Sequence, residues 1–396
     1  MLPDFSSLDS KKISAKELLS VIPDELLANM AQSSVVDYQV KKLYGKSMFY
    51  LLLYGLLESN RASLRSLEEV FNSTKFKVIF NLDKTAKTKF NSISDRLSTM
   101  DESYFRQAYE LLYKEYSNLY SIEDSIGYNI TRVDSTMVVE VANKIQEGMH
   151  VGKSGKDSPK QIKYTISLTN LLPSSVEVFT SQLQLSEDYS IPQAIMNHID
   201  HKPDNVFVFD RGVSSRKAFN QMDNNHLNFV TRVNPNARHK VIEQSTLLKQ
   251  QVRVNNLTII RDERVIFYDK QHKPSNVFRL IQTIDHNNDP IWFVANLFEE
   301  KVEDIINIYK KRWDIEVFFR FIKQELNFKH FISTSINGIS IILYMTLILS
   351  MLILIYKRLN NLGYKAAKRR FYYEIDELYM SMIILISGGD PSLVFR

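Results

Sequence analysis

Residues 205–210 of this 396-residue chain read Asn-Val-Phe-Val-Phe-Asp, four consecutive apolar residues between an amide and an acid. A continuous apolar run of this kind is typical of a central strand that other elements cover on both faces. In open α/β sheets, ligands bind beyond the carboxyl ends of such strands, so Asp210 stands where a functional group is expected. The stretch therefore predicts an α/β fold with a site at one edge of a sheet.

The sequence on either side of this run alternates between strand and helix patterns. Three short β-branched segments precede it, separated by polar turns: residues 127–139, 161–169 and 176–183. They predict three adjacent strands, and helices are expected over 192–199 and 214–223. A further strand is expected over 227–232, and residues 233–289 alternate like β segments without a helix between them. The α/β pattern thus continues on both sides of the run and is followed by a β-rich insertion.

The stretch 302–327 repeats apolar residues at helical spacing and predicts one long helix. Five polar residues on it are spaced by three or four positions and share one stripe: Tyr309, Arg312, Glu316, Arg320 and Lys323. Other polar residues, among them Lys311 and Asp314, fall on the opposite side and are expected to face solvent. A surface helix needs only one polar face, so the stripe requires a partner. Intrahelical ion pairs, worth about 0.2–0.5 kcal/mol each, are one explanation, and DNA phosphates held by the basic residues are the other.

Three acids stand at marked positions of this pattern. Asp134 lies in the first predicted strand, Asp210 ends the apolar run, and Glu316 lies in the polar stripe. Carboxylate oxygens are the ligands that Mg²⁺ prefers, and two such ions could activate a water or a 3′-hydroxyl at a phosphodiester. Taken singly, an Asp after a strand more often caps a turn. A metal-dependent phosphodiester site is therefore expected if the three acids converge.

At these residues the chain resembles a known family. Four residues at fixed spacing match in full the Y-R-E-K signature of bacterial cut-and-paste insertion-sequence transposases of the DDE class: Tyr309-x2-Arg312-x3-Glu316-x6-Lys323. The segments Val-Asp-Ser-Thr around Asp134 and Phe-Asp-Arg-Gly around Asp210 resemble the first two acidic motifs of that family, in the right order. The resemblance extends over about residues 128–349.

The resemblance implies an α/β fold with a ribonuclease-H-like catalytic core. The domains it implies are a helical N-terminal DNA-binding region over 1–125, the catalytic core over 126–232 and 290–335, the β-rich insertion over 233–289 and a helical C-terminal region over 336–396. It implies that Asp134, Asp210 and Glu316 are the catalytic and metal-binding residues, with two Mg²⁺ ions for which Mn²⁺ can substitute. The implied reaction cuts DNA at the terminal inverted repeats of an insertion sequence, forms and opens a hairpin, and joins the freed 3′-hydroxyl to target DNA.

The resemblance also implies contacts with DNA. Tyr309, Arg312 and Lys323 correspond to residues that hold phosphates at the hairpin end, and Arg320 corresponds to a further basic position on the same helix. Trp292 matches the place of a tryptophan that stacks on a flipped base. A role as an apolar anchor in the core is an equal explanation for Trp292.

Three further basic residues are candidate DNA contacts on charge pattern alone. Lys153 and Lys156 lie in the turn between the first two strands of the sheet, where simple solvation is the alternative. Arg96 belongs to a possible helix-turn-helix whose recognition helix would cover residues 92–100. A solvated basic loop between two core helices explains that stretch equally well.

Composition excludes several classes of protein and site. The chain has no cysteine, which excludes disulfide scaffolds, thiolate zinc sites, iron–sulfur clusters and cysteine nucleophiles. The net charge of +5 permits a polyanionic partner without requiring one. We expect double-stranded DNA as that partner, both as terminal repeats and as target, bound by a homodimer in the bacterial cytoplasm at the nucleoid.

Two other functions remain open at this point. One is a domesticated, catalytically silent DNA-binding protein of the same fold. The other is a membrane protein built around residues 339–356, which are 18 positions without a charge. A helix buried on all sides is the preferred explanation of this run, because it is solitary and interrupted by Ser340, Thr346 and Ser350. No signal peptide and no membrane contact are therefore expected.

Overall fold

The computed structural model describes residues 12–58, 62–119, 127–140, 145, 147–152, 158–198, 202–244, 253–268 and 273–395. The helices are α1 Ala15–Ser20, α2 Asp24–Ser33, α3 Gly45–Glu58, α4 Leu64–Asn72, α5 Thr74–Ile79, α6 Phe90–Thr99, α7 Ser103–Leu119, α8 Glu187–Met196, α9 Arg216–Asn224, α10 Val302–Lys310, α11 Trp313–Glu325, α12 Ile336–Leu359 and α13 Tyr364–Ile386. The strands are β1 Asn129–Glu140, β2 Met149–His150, β3 Lys160–Thr169, β4 Leu172–Phe179, β5 Asn205–Val208, β6 Asn228–Val233, β7 His239–Gln244, β8 Arg253–Val254, β9 Leu257–Tyr268, β10 Pro274–Ile284 and β11 Pro290–Ala295.

The chain folds into two compact units. Unit 1 consists of Met1–Ser121, Val138–Gln161 and Phe319–Arg396, and unit 2 consists of Ile122–Met137 and Ile162–Phe318. Unit 1 therefore holds helices from both ends of the chain, and unit 2 holds most of the sheet.

Helix α12 forms the core of unit 1. Among the described residues it alone is long and apolar enough to cross a membrane, and 94% of its most apolar stretch is buried inside the protein. It packs against α3, α6, α7 and α13. The hydroxyls of Thr346 and Ser350 donate to the carbonyls of Ile342 (2.8 Å) and Leu347 (2.7 Å), so these buried polar groups are satisfied within the helix. The uncharged run at 339–356 is thus a core helix in this structure.

Unit 2 is built on a mixed sheet. Strand β4 pairs with β3, which is followed in spatial order by β1, β5, β6, β11, β10, β9 and β7. Strands β1, β5 and β6 are parallel to one another, whereas β3 and β4 are antiparallel. The large sheet is mixed and is accompanied by helices, so the predicted α/β fold class is confirmed. The strands of residues 233–289 continue the same sheet, because β11 lies between β6 and β10.

The apolar run at 205–210 occupies the centre of this sheet. Phe207 and Phe209 belong to a core cluster with residues of α8 and α9. Val206 and Val208 belong to a second cluster with residues of α10. Because successive side chains of a strand point to opposite faces, a strand covered on both faces must be apolar throughout.

The prediction of one helix over 302–327 is wrong. The chain forms α10 and α11, with a break at Lys311 and Arg312. The guanidinium of Arg132, only 2% exposed, donates to the carbonyl of Lys311 (3.3 Å) and pairs with Asp314 (3.0 Å). The amide of Arg312 bonds to the carbonyl three residues earlier (2.9 Å), which tightens the turn. Asp314 is therefore not the simply solvated residue that the sequence predicts, since it binds a buried cation.

Candidate functional site

Asp134 and Asp210 lie at the same level of two neighbouring parallel strands. Strands β1 and β5 pair with a constant offset, which sets Arg132 opposite Val208. Two residues further along, the same offset sets Asp134 opposite Asp210 at the carboxyl edge of the sheet. The two carboxylates are close enough for the charge of Asp210 to raise the pKa of Asp134. The structure thus brings together two of the three predicted acids.

The carboxyl of Asp134 is largely shielded from solvent, with its side chain 20% exposed, and lies near two negative charges. One of its oxygens, Oδ1, accepts a hydrogen bond from the amide of Ser135 (2.7 Å). Burial is the largest influence and raises the pKa of Asp134 to about 7, and the charges of Asp210 and Glu187 act in the same direction. The Ser135 amide and the charge of Arg312 oppose this rise. The surroundings of Asp134 therefore favour an added positive charge.

Asp210 is fixed by the turn that follows it. Its Oδ1 atom accepts a hydrogen bond from the amide of Gly212 (2.8 Å), so it does cap a turn, as an Asp after a strand often does. A Cβ atom on Gly212 would stand 2.8 Å from this same oxygen and 3.1 Å from Cγ of Glu187. Only glycine therefore fits between the two carboxylates without displacing one of them.

Arg312 bridges the first acid and the third. Its Nη2 donates to Glu316 (2.5 Å), and its Nη1 lies 3.8 Å from Oδ2 of Asp134. Burial alone would lower the pKa of Arg312, but the hydrogen bond to Glu316 and the charges of Tyr309, Glu316 and Asp134 raise it above the ordinary value. The Nε atom of Arg312 is buried without a hydrogen-bond partner in the described part of the chain. The guanidinium thus supplies the positive charge between Asp134 and Glu316, and its Nε–H group donates no described hydrogen bond.

The acids suit a hard divalent cation in chemistry, because carboxylate oxygens are the ligands that Mg²⁺ prefers. Within the described ranges, however, no three His, Asp or Glu side chains lie close enough to share a metal ion. Glu316 is engaged by Arg312. Asp134 and Asp210 therefore suit such an ion by their chemistry, whereas the carboxylate of Glu316 is already paired with a cation.

One further residue of the signature, Tyr309, lies beside these acids. The ring of Tyr309 packs edge to face on Phe293 (5.2 Å between centroids), and the guanidinium of Arg312 lies 5.9 Å from its centroid. Burial raises the pKa of Tyr309, and the charges of Arg312 and Arg232 oppose that rise. Tyr309 is therefore placed at the acidic site, as part of the same charge network.

Trp292 is half-buried at the start of β11. Its indole packs against the core cluster that contains Phe207 and Phe209 and meets the ring of His239 edge to face at 5.5 Å. Both explanations of Trp292, a core anchor and a stacking platform, are compatible with this placement.

The remaining predicted DNA contacts lie in unit 1 or outside the described residues. Arg320 is exposed, and the ammonium of Lys323 lies 5.9 Å from the ring centroid of Phe319. Lys153 and Lys156 fall outside the described residues. Each of these candidates remains a prediction.

The guanidinium of Arg96 is engaged within the protein. It donates to the carbonyls of Val36 and Leu43 (3.0 Å for the latter) and lies 3.8 Å from Asp37. Arg96 therefore holds the segment before α3 against α6, and its side chain is only 14% exposed.

Sequence reasoning missed Glu187 and Arg232 at the acidic site. Glu187 interacts with the charge of Asp134, and the buried ammonium of Lys163 pairs with Glu187 at 3.0 Å. Arg232 acts on Tyr309, and its Nε is buried without a hydrogen-bond partner in the described part of the chain. The sequence carries little signal for Glu187, because an acid in the first turn of a helix is ordinary.

A cavity of about 470 Å³ opens beside Asp210. Its lining includes Arg211, Arg216 and Asn234. The guanidinium of Arg216 stacks over Phe267 (4.7 Å), and its Nη1 is buried without a described hydrogen-bond partner. The edge of the sheet therefore carries basic groups next to its acids.

Residues 167–352 match the family model of the transposase DDE domain. The chain is 29% identical over 139 residues to a probable transposase for insertion sequence element IS5377 of Geobacillus stearothermophilus, which covers 34% of each protein. It is 27% identical over 167 residues to the putative transposase y4zB of Sinorhizobium fredii, which covers 40% of this chain and 44% of that relative. The matched segments span between a third and a half of these relatives.

Among solved structures, a piggyBac transposase in a synaptic complex with hairpin DNA aligns with a TM-score of 0.49 and 9% identity, over 94% of this chain and 82% of that chain. Of the three acids, Asp210 and Glu316 lie inside the segment that matches the family model, and Asp134 precedes it.

Proposed function

We propose that the protein is a DNA transposase of an insertion sequence, because residues 167–352 match the family model of the transposase DDE domain. It cuts and joins DNA at the terminal inverted repeats of its element, and its signature is of the Y-R-E-K type. The observation that carries this proposal is the bridge that Arg312 makes between Asp134 and Glu316 beside Asp210.

The proposed chemistry exchanges one phosphodiester bond for another. In the first cut, the oxygen of a water forms a bond to phosphorus, the bond from phosphorus to the 3′ oxygen breaks, and that oxygen leaves as a 3′-hydroxyl. The freed hydroxyl then attacks a phosphorus of the opposite strand and displaces the 3′ oxygen of the flanking DNA, which forms a hairpin. A second water breaks the new P–O bond and regenerates the 3′-hydroxyl. This hydroxyl finally attacks a phosphorus of target DNA and displaces a 3′ oxygen there. Two Mg²⁺ ions, or Mn²⁺ in their place, would supply activation of the attacking oxygen and stabilisation of the leaving oxygen. Asp134, Asp210 and Glu316 are the residues that would hold them.

The basic residues of the site have a complementary role. Arg312 is proposed to transfer from Glu316 to a DNA phosphate, so that Glu316 becomes available as DNA arrives. Tyr309 and Lys323 are proposed to hold neighbouring phosphates. The other proposed contributors to the DNA surface are Arg320, Trp292, Lys153, Lys156 and Arg96, the last by fixing the segment before α3.

The assembly proposed for this reaction is a homodimer on double-stranded DNA. Both ends of an element must be joined in one reaction, so at least two copies of the site are needed. Residues 1–125 are proposed to bind the terminal repeats, and the proposed location is the bacterial cytoplasm, at the nucleoid.

The test is cleavage of DNA that carries the inverted repeats flanking the protein's own gene. Purified full-length protein is incubated with this DNA and Mg²⁺, and nicks, hairpins and joined products are resolved on denaturing gels. Asp134→Asn, Asp210→Asn and Glu316→Gln are each expected to abolish nicking while leaving DNA binding in place. Glu299→Gln is the matched control, since it removes one charge from a side chain of unit 2 that is 92% exposed.

The outcomes separate the proposal from its alternatives. Nicking that persists in one of the three variants would remove that residue from the catalytic set. Tight binding of the repeats by the wild type with no cutting under any divalent ion would instead support a silent DNA-binding protein.

A further inference from the structure

An ion pair with a fully buried cation lies beside the acidic site. Lys163, in β3, is fully buried, and its ammonium donates to the carbonyl of Leu185 (2.8 Å) and pairs with Oε1 of Glu187 (3.0 Å). Separating two such charges would leave the buried ammonium without compensation, which is strongly destabilising. The carboxylate of Glu187 is therefore held in one place, at the first turn of α8.

The other oxygen of Glu187 faces the first acidic strand. Its Oε2 accepts a hydrogen bond from the hydroxyl of Ser135 (3.1 Å), which also shares a hydrogen bond with Thr165 (2.8 Å). The amide of Ser135 in turn donates to Oδ1 of Asp134 (2.7 Å). A continuous chain of contacts thus runs from Lys163 through Glu187 and Ser135 to Asp134.

This chain of contacts leaves one oxygen of Asp134 available. Because Oδ1 is held by the Ser135 amide, Oδ2 is the atom that faces Arg312 at 3.8 Å. Glu187 also borders the turn after the second acid, since its Cγ would stand 3.1 Å from a Cβ placed on Gly212. Glu187 therefore touches the segments that carry both Asp134 and Asp210.

We propose that Glu187, anchored by Lys163, is a positioning residue that sets the orientation of Asp134 through Ser135. This inference rests on the proposed function, because orientation of Asp134 matters only if Asp134 holds a divalent ion. Glu187 acts through Ser135 and needs no contact with DNA or with the ion. Residues that orient a ligating carboxylate typically change metal affinity by about 10–100-fold when they are replaced.

The experiment measures Mn²⁺ binding to the full-length protein without DNA, by electron paramagnetic resonance of free Mn²⁺, together with the melting temperature. Glu187→Gln removes the charge and keeps the shape, and Ser135→Ala cuts the link and keeps every charge. Positioning predicts that each variant weakens Mn²⁺ binding about tenfold, and that the double variant is no weaker than either single one, because both cut the same chain of contacts. Glu299→Gln is expected to bind Mn²⁺ as the wild type does.

Other results would overturn the proposal. Unchanged Mn²⁺ affinity in both folded variants, with only a lower melting temperature, would leave Glu187 a purely structural residue. Weaker binding in Glu187→Gln alone would show an effect of charge without positioning. Glu187→Gln could fail to fold because it leaves the buried ammonium of Lys163 without a counter-charge. In that case Lys163→Met/Glu187→Gln removes this charge, and its Mn²⁺ affinity is compared with that of Ser135→Ala.

The same data distinguish failure of the inference from failure of the proposed function. If the wild type binds no Mn²⁺, or if Asp134→Asn binds it as tightly as the wild type, the metal site itself is not where the proposed function puts it. If Asp134→Asn loses Mn²⁺ while Ser135→Ala and Glu187→Gln retain it, only the positioning role fails.

Discussion

At the scale of single residues, Asp134 is a carboxyl whose ionised form is destabilised. Burial is the main cause, and Asp210 and Glu187 add to it. Arg312 compensates only in part, since its nearest nitrogen lies 3.8 Å away. In a cation-binding site, carboxylates are expected to repel one another in this way as long as no cation is bound.

The first prediction concerns stability against pH for Asp134→Asn in EDTA. The pKa of Asp134 is about 7 in the folded protein, against about 3.9 for an unfolded Asp. Between these values the folded protein holds a proton that the unfolded chain has lost, so the free energy of unfolding of the wild type decreases as pH rises through this range. Asp134→Asn removes the titration and is expected to be more stable than the wild type by about 2–4 kcal/mol at pH 8, and by less than half as much at pH 5.

Urea unfolding at the two pH values measures this difference. Glu299→Gln, at an exposed position, is expected to follow the wild type at both. An advantage of Asp134→Asn that stays constant from pH 5 to pH 8 would show that Asp134 is not the titrating group.

At the scale of elements, the sequence predicts the central strand and the order of the acids but not the inner polar face of β3. Thr165, Ser167 and Thr169 alternate with apolar residues, a pattern typical of a strand with one solvated face. All three are buried. Thr169 shares a hydrogen bond with Thr131 (2.9 Å), and Thr165 shares one with Ser135. The periodicity of the sequence indicates which face of a strand is polar. It does not indicate whether water or buried polar groups contact that face.

The break between α10 and α11 could not be predicted from the sequence for a related reason. The apolar repeat of residues 302–327 continues through the break, and no Pro or Gly interrupts it. What stops the helix is Arg132, which comes from a distant strand and binds Lys311 and Asp314. A stop imposed by a tertiary contact leaves no local signal, so only the positions of Arg312 and Glu316, and not their geometry, could be predicted.

The second prediction follows from that contact. Arg132 donates to the carbonyls of Ile130 (2.6 Å) and Lys311 (3.3 Å) and pairs with Asp314. Arg132→Met is expected to lower the free energy of unfolding by about 3 kcal/mol, because the carbonyls of Ile130 and Lys311 and the carboxylate of Asp314 lose their hydrogen-bond donor. Asp314→Asn is expected to cost about 1 kcal/mol, because Asp314 is 36% exposed and an amide can still accept a hydrogen bond.

Both variants are also expected to slow DNA nicking, since the break sets where Arg312 and Glu316 stand. Stability is measured by urea unfolding, and nicking at a temperature where each variant is fully folded. Lys310→Met, at an exposed position at the end of α10, serves as the control and is expected to change neither. If folded Asp314→Asn nicks DNA at the wild-type rate, the contact at the break does not determine the geometry of the site.

At the scale of the whole molecule, a net charge of +5 is small for a protein proposed to bind DNA. The charge is distributed unevenly, however. In unit 1, a groove of about 620 Å³ is lined by Lys41, Lys42, Lys87 and Lys89, with Arg96 also in its lining. All four lysines are exposed, which concentrates positive charge where the overall sum does not reveal it.

The third prediction is that this groove contacts DNA phosphates. Each phosphate contact with double-stranded DNA adds about −0.9 to the slope of log affinity against log salt. Lys41→Gln/Lys87→Gln is therefore expected to weaken binding and to make that slope shallower by about 1–2. Fluorescence anisotropy across a salt series measures both quantities. The loss is expected to be the same for element ends and for unrelated DNA, because phosphate contacts carry no sequence information.

The control for this prediction removes the same charge from the same unit. Lys12 and Lys16 are exposed and lie outside the groove, so Lys12→Gln/Lys16→Gln changes the net charge equally. If both double variants shift the salt slope alike, DNA responds to the overall charge of unit 1 and not to the groove. If only Lys41→Gln/Lys87→Gln shifts it, the groove is a DNA surface, and Arg96 serves it by holding its wall through Val36 and Leu43.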